Sequence, residues 1–169
     1  MKKSNRKGFT LVELVVVIAI IGILAAILVP TMMNYVKKAK LKTANSNAKL
    51  VYTTVNNEAA DKIVEGKESD IKSSGGNAAG SAGNVVEVKS LKSADEKTLD
   101  GAVYKALSDN GDGAGFVFWT VSTNGNVEIA QWGSSNYSGN TKGIVGQYPN
   151  PTSNYDKTYV MGTSLSNQK

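Results

Sequence analysis

From Leu14 to Val29 the chain runs sixteen consecutive residues without a polar side chain. A helix apolar on every side needs an apolar solvent, and a bilayer is the natural one. Phe9 to Val29, taken as helix at about 1.5 Å per residue, is roughly 32 Å long and matches a hydrocarbon thickness of ~30 Å. Residues 1–7, Met-Lys-Lys-Ser-Asn-Arg-Lys, carry four positive charges and no negative one, which favours leaving them in the cytoplasm. Lys37, Lys38, Lys40, Lys42 and Lys49 flank the far side, so charge asymmetry alone leaves the orientation open. A long following domain nevertheless translocates largely regardless of its own charge. A cleaved secretory signal fits less well. The run exceeds an h-region of about 7–15 residues, Glu13 interrupts its start, and no small-x-small site followed by a polar stretch lies just beyond Val29.

Glu13 is the only acidic side chain before Glu58. A carboxylate at mid-bilayer costs about 2.5–3.5 kcal/mol and is read as functional by default. The competing reading places it at headgroup level, where it costs little. Histidine and cysteine are both absent. Their absence excludes Ser-His and Cys-His nucleophiles, thiolate and imidazole metal sites, and any disulfide framework. No cofactor or metal site is expected. A hydrolase would have to work with carboxylates, lysines and hydroxyls alone.

Lys7-Gly8-Phe9-Thr10-Leu11-Val12-Glu13-Leu14 resembles the processing and assembly signature of type IV prepilins and pseudopilins. The likeness extends over the apolar run to Gly22 and Pro30, and the head carries no motif placed by resemblance. It implies cleavage after Gly8 by a prepilin peptidase, followed by N-methylation of the new terminus at Phe9. Gly8 suits a site where an enzyme must approach the backbone closely. In a filament, the amine released on Phe9 can lie beside a neighbour's Glu13 and relieve an unpaired charge in apolar surroundings, registering each arriving subunit.

The resemblance further implies an α+β ladle, a long kinked N-terminal helix packed on an antiparallel-sheet head. Its expected parts are a leader over 1–8, a transmembrane and filament-core helix over 9–29, an amphipathic helix over 30–66, and a globular head over 67–169 with an αβ-loop and variable C-terminal loops. Pro30 lacks an N–H and is expected to kink or locally melt the helix, with Gly22 a second weak point. Beyond it Met33, Val36, Leu41, Ala44, Ala48, Val51, Tyr52, Val55, Ala59 and Ile63 follow helical spacing and predict one buried stripe ending near Gly66. The lysines from Lys37 to Lys49 suit anionic headgroups, acidic patches on neighbouring subunits, DNA, or simply a solvated face.

Residues 67–83 read by composition as a flexible surface loop, and 84–89 as a short strand. Ser93-Ala94-Asp95-Glu96 predicts a capping box opening a helix with Leu99, Val103 and Leu107 inside, stopping at Asp109-Asn110-Gly111. Asn124-Gly125 marks a hairpin between strands over 115–122 and 126–132. In the first strand Phe116 and Phe118 oppose Val117, Trp119 and Val121, so both faces are apolar and the strand should be central, covered by the long helix and by either the Ser93 helix or the C-terminal loops. Two more short strands are expected over 143–147 and 158–162, around a Pro149-Asn150-Pro151 turn. Trp132, Tyr137, Tyr148 and Tyr155 could offer a sugar-binding surface, but core and loop anchoring is the preferred reading. Asp109 to Gly113 departs from calcium-loop spacing and reads as a turn, although Asp109 and Asp112 could hold a cation.

Type IV pilins of Gram-negative bacteria often close the C-terminal loop with a disulfide. This chain must hold it by packing and hydrogen bonds. The missing cysteine and eighteen lysines to one arginine fit a Gram-positive, clostridial-type source. The functional expectation is a pilin, not an enzyme but the substrate of one, that polymerises through its apolar helix into a surface filament used in adhesion, aggregation, biofilm formation or motility. Expected partners are other copies in a helical filament, the peptidase and N-methyltransferase, a membrane assembly platform with its ATPase, the cytoplasmic membrane before assembly, and a host surface or DNA. The rivals are a minor pilin or pseudopilin of a competence or type II secretion-like system, and a membrane-anchored module that never polymerises. The formal +5 of the whole chain, 19 basic against 14 acidic side chains, also changes meaning. Removing Lys2, Lys3, Arg6 and Lys7 with the leader leaves 15 basic against 14 acidic, a nearly neutral subunit.

Overall fold

A computed structural model describes residues 8–81, 83–95, 97–111 and 113–168. The chain divides into two compact units, the first ending at Lys37 and the second beginning at Lys38. Helix α1, Leu11–Val64, supplies all the regular structure of the first unit and the first element of the second. Within the first unit every described residue up to Val36 is exposed. The helix runs without interruption through Gly22 and Pro30. Pro30 withdraws the N–H that Ala26 would accept. Next to it the Thr31 hydroxyl donates back to the carbonyls of Ile27 at 3.3 Å and Leu28 at 2.8 Å.

In the second unit α1 buries Leu41, Ala44, Asn47, Ala48, Val51, Val55 and Ala59. Their spacing of three or four holds one side of the helix against the core. Three expected members of the stripe depart from it. Met33 and Val36 lie in the first unit and are exposed, and Ile63 in the last turn is 44% exposed. Asn47 joins the stripe although it is polar. The helix ends in a Schellman motif: Gly66 at φ 71° lets its own N–H donate to Ile63 and the Lys67 N–H donate to Lys62.

The main sheet is antiparallel, in the order β3 (Val86–Glu87), β4 (Phe116–Val121), β5 (Val127–Gly133), β6 (Val145–Tyr148). Strand β4 is central, as its two apolar faces require. Val117, Trp119 and Val121 join the α1 stripe in one core, together with Leu99, Val103 and Leu107 from α2 (Leu99–Asp109). Phe118 enters a second core on the opposite face with Val145, Tyr159, Met161 and Leu165. The C-terminal segment, rather than α2, therefore covers the outer face. In the β4–β5 turn the Gly125 N–H donates to Ser122 with Gly125 at φ 80°, and a bulge leaves Glu128 between the Thr120–Ile129 and Val121–Val127 pairs. That extra residue turns both Val127 and Ala130 into the α1-side core. Strand β6 comes so close to α1 that a Cβ on Gly146 would collide with the backbone of Ala44 and Asn45.

Several local expectations are corrected. The loop expected over 67–83 carries two short paired strands within its described residues, β1 (Lys72–Ser73) and β2 (Asn77–Ala78). Among the described residues, strand β3 pairs with β4 only at Val117 and Phe116, which leaves the rest of that β4 edge without a strand. Serine side chains take its place. The N–H of Trp119 donates to Ser74 Oγ at 3.1 Å and that of Val121 to Ser73 Oγ at 3.0 Å, while Ser74 Oγ donates to Asn84 O at 2.6 Å. Buried backbone groups must find partners, and these short hydroxyls supply them. The strand expected over 84–89 shrinks to Val86–Glu87, because Val88–Ser93 coils into a 3-10 helix. The Ser93 box does not open α2. Its N-cap is Thr98, whose hydroxyl accepts the Gly101 N–H at 3.1 Å, and Glu96 lies outside the described residues. The strand expected over 158–162 is reduced to a single bridge between Gly143 and Tyr159.

The C-terminal segment is held without covalent links, as expected. Gln131 and Gln147 face each other across β5 and β6, both fully buried. Gln131 Nε2 donates to Gln147 Oε1 at 3.1 Å and to the Thr163 carbonyl at 2.6 Å. The same two side chains accept from the backbone N–H of Gly162 at 2.9 Å and of Leu165 at 2.8 Å. From the other side, Asn45 on α1 accepts the Gln147 N–H at 3.2 Å and donates to Thr152 O at 3.0 Å. Each amide has two acceptor lone pairs and two donors, so a pair of glutamines can tie down two loops at once.

Candidate functional site

The N-terminal unit is defined by what it leaves uncovered. Phe9 is 90% exposed, and the apolar side chains from Leu11 to Val36 stand free around the whole circumference of the helix. The helix is long and apolar enough to cross a membrane. Gly8 has open space where a Cβ would stand, so its backbone is approachable.

Glu13 does not stand alone. Thr10 precedes the first helical residue, and the two side chains form a reciprocal cap. The Thr10 N–H donates to Glu13 Oε2 at 2.8 Å and the Thr10 hydroxyl donates to the same oxygen at 2.7 Å, while the Glu13 N–H donates back to Thr10 Oγ1 at 3.3 Å. A negative charge in the first turn also complements the helix dipole. The carboxylate thus has a partner inside its own chain. Sequence reasoning missed Thr10 as that partner, although Thr-x-x-Glu ahead of an apolar run is the signature of a capping box. Gly22 and Pro30 lie inside the helix and meet none of these groups.

The lysines of the 37–49 stretch separate into different environments. Lys38 Nζ lies 4.9 Å from the Tyr155 ring centre and Lys49 Nζ lies 5.7 Å from that of Tyr148, both cation–π contacts. Lys40 and Lys42 are exposed on the helix. Tyr148 also meets Tyr52 edge-on at 4.9 Å. Trp119 and Phe118 are core, and Tyr137 and Tyr159 pair their hydroxyls with Ser134 and Thr152, so loop anchoring accounts for these aromatics. Asp109 is paired with Lys105 at 3.6 Å, Gly111 turns the chain at φ 83°, and Asp112 lies outside the described residues. Among the described residues, no group of three or more acidic side chains is placed to hold a metal ion.

Residues 3–29 match the family described as the prokaryotic N-terminal methylation motif. The chain is 40% identical over 68 residues to a type IV major fimbrial protein of Dichelobacter nodosus, covering 40% of each chain. It is 47% identical over 49 residues to a type IV major pilin protein of Myxococcus xanthus, covering 29% of this chain and 22% of the relative. A fimbrial protein of Eikenella corrodens is 54% identical over 44 residues, 26% of this chain and 29% of the relative. Two of these relatives are named as type IV fimbrial or pilin proteins, and all three matches cover a limited part of the chain. The match spans about two fifths or less of each relative's length. No solved structure matches the chain significantly.

Proposed function

We propose that this chain is a structural pilin subunit that polymerises through the apolar half of α1 into a cell-surface type IV filament. The observation that carries the reading is the exposed apolar first half of α1, which opens on the Thr10–Glu13 cap within residues that match the methylation motif. On this reading the leader over 1–8 is cut after Gly8 by the prepilin peptidase, and Phe9 is methylated. Residues 9–29 hold the prepilin in the cytoplasmic membrane and later line the filament core. The head is displayed outside, where the filament serves adhesion, aggregation, biofilm formation or motility. A membrane platform and a cytoplasmic ATPase extract each subunit. Relatives named as major fimbrial and major pilin proteins favour a major over a minor subunit.

The cap suggests how Glu13 is tolerated before assembly. Thr10 satisfies the carboxylate in the free subunit, and the Phe9 amine of a neighbour, reference pKa about 7.7–8.0, replaces or joins it in the filament. Glu13→Val is the test. Mass spectrometry should find the variant cut and methylated at Phe9 like the parent, while sheared surface fractions contain no filaments. Normal filaments in the variant would refute the role of Glu13. A parent chain starting at Met1 or beyond Pro30 would refute the whole reading.

A further inference from the structure

The end of α1, the β1 segment and the start of α2 line an open-mouthed cavity of about 560 Å3 in the second unit. Four lysines from four separate stretches line it: Lys62, Lys67, Lys72 and Lys97. The Lys62 side chain is only 12% exposed, and the Glu65 carboxylate beside it is at 3.8 Å, the outer limit of an ion pair. Glu65 is engaged more closely by Lys67, at 2.9 Å. That hydrogen bond holds the Glu65 carboxyl below its usual range and raises the Lys67 ammonium above its own. Among the described residues, Lys72 and Lys97 have no carboxylate within 4.0 Å. Even with the carboxylates of the wall counted beside Glu65, the four ammoniums leave an excess of one positive charge, and the nearly buried Lys62 ammonium has donors left for an anion. The two carboxylates of the wall are Asp70 and Asp100. They repel a bare anion but accept hydrogen bonds from hydroxyls.

We propose that this cavity binds a polyol phosphate, with the phosphate among Lys62, Lys72 and Lys97 and the hydroxyls donating to Asp70 and Asp100. The volume falls within the range of about 300–1,000 Å3 typical of small-ligand sites. The combination of cations with an exposed carboxylate, Asp70, and a half-buried one, Asp100, separates this ligand class from inorganic phosphate, which has no hydroxyl pattern to offer. The ligand can come from two sources, a free glycerol phosphate or the glycerol-phosphate repeat of an envelope polymer.

The test is calorimetric titration of the full chain in a neutral detergent. Glycerol 3-phosphate should bind with a Kd of about 1 mM or tighter, at least about tenfold better than glycerol or inorganic phosphate. The double variant Lys72→Gln/Lys97→Gln should weaken it by about tenfold or more, and Lys40→Gln, on a lysine outside the cavity, should leave it unchanged. Asp70→Asn should reduce the preference for glycerol 3-phosphate over inorganic phosphate while strengthening phosphate itself. A short poly(glycerol phosphate) binding better than the monomer, and dependent on the same lysines, identifies the polymer as the source; equal affinity per repeat identifies the free compound. The proposal is overturned by no saturation below about 10 mM, by equal binding of inorganic phosphate, by an unaffected double variant, or by a short oligothymidylate that binds the cavity more tightly. Glu13→Val should bind as the parent does, so the cavity stands or falls independently of filament assembly.

Discussion

The two halves of α1 obey opposite rules. From Leu14 to Val29 the helix is apolar all round, and its described residues stay exposed as far as Val36; from Lys38 it is mixed in composition and seven of its residues are buried. Hydrophobicity alone therefore says little about burial. In the first half apolar side chains occupy every angular position, so no folded head could cover them, and only lipid or other helices can. In the second half a single stripe enters the core of the head, and most of the remaining positions are polar. The carboxylates follow the same division. Glu13 is satisfied locally by Thr10, whereas Asp100 lies half-buried in the head.

The largest expected effect comes from placing one substitution in each half. Val51→Asp puts a charge at a fully buried position of the stripe. The cost of several kcal/mol rivals the whole stability of a small domain, so the head should not fold. Loss of the near-ultraviolet circular dichroism of the buried Trp119 would report it. Val17→Asp in the apolar half should leave that signal and the unfolding midpoint of the head unchanged to within about 0.5 kcal/mol. Its expected cost of about 2.5–3.5 kcal/mol falls on membrane insertion, read as a smaller membrane fraction. If Val17→Asp unfolded the head, the division of the helix would be wrong.

Next in size is the glutamine pair, the head's substitute for a covalent staple. Gln147→Leu keeps the volume but leaves the buried Leu165 N–H without its acceptor and frees one Gln131 donor. The loss should be about 2–3 kcal/mol in denaturant unfolding. Hydrogen exchange at Leu165 and Gly162 should quicken far more than at the α1 stripe. Uniform quickening would mean that the pair supports the whole core rather than the C-terminal segment.

Much of this division was legible in the sequence. The sixteen-residue run, the stripe from Leu41 to Ala59, the two-faced β4 and the Asn124-Gly125 hairpin all carry a period or a turn signal that backbone geometry imposes. What escaped lacks a period. Gln131 and Gln147 are polar residues at core positions, chosen by partners distant in sequence, and no local pattern marks them or the buried Asn47. Ser73 and Ser74 were hidden by composition, because the serines of a linker look the same as serines completing a strand edge. Thr98 lost to Ser93 because both can cap, and tertiary packing of Leu99 and Val103 decides where the first turn begins.

The smallest effect concerns Asp100, the head's counterpart to Glu13 in the first turn of its helix. Burial pushes its carboxyl above the ordinary value, and the nearby Lys72 pulls it partly back. Between the unfolded value, about 3.9, and the raised one, the native state holds the proton more firmly than the unfolded chain does. The contribution of Asp100 is therefore most favourable below that window and falls as pH rises through it, leaving a half-buried charge to be borne at neutral pH. Asp100→Asn removes that cost. The variant should be more stable than the parent at pH 7, by no more than about 1 kcal/mol since water screens a half-exposed group, and the advantage should vanish below about pH 4. Paired urea titrations at the two pH values read the difference. An advantage that persists at low pH would mean that the carboxylate opposes folding by something other than its charge.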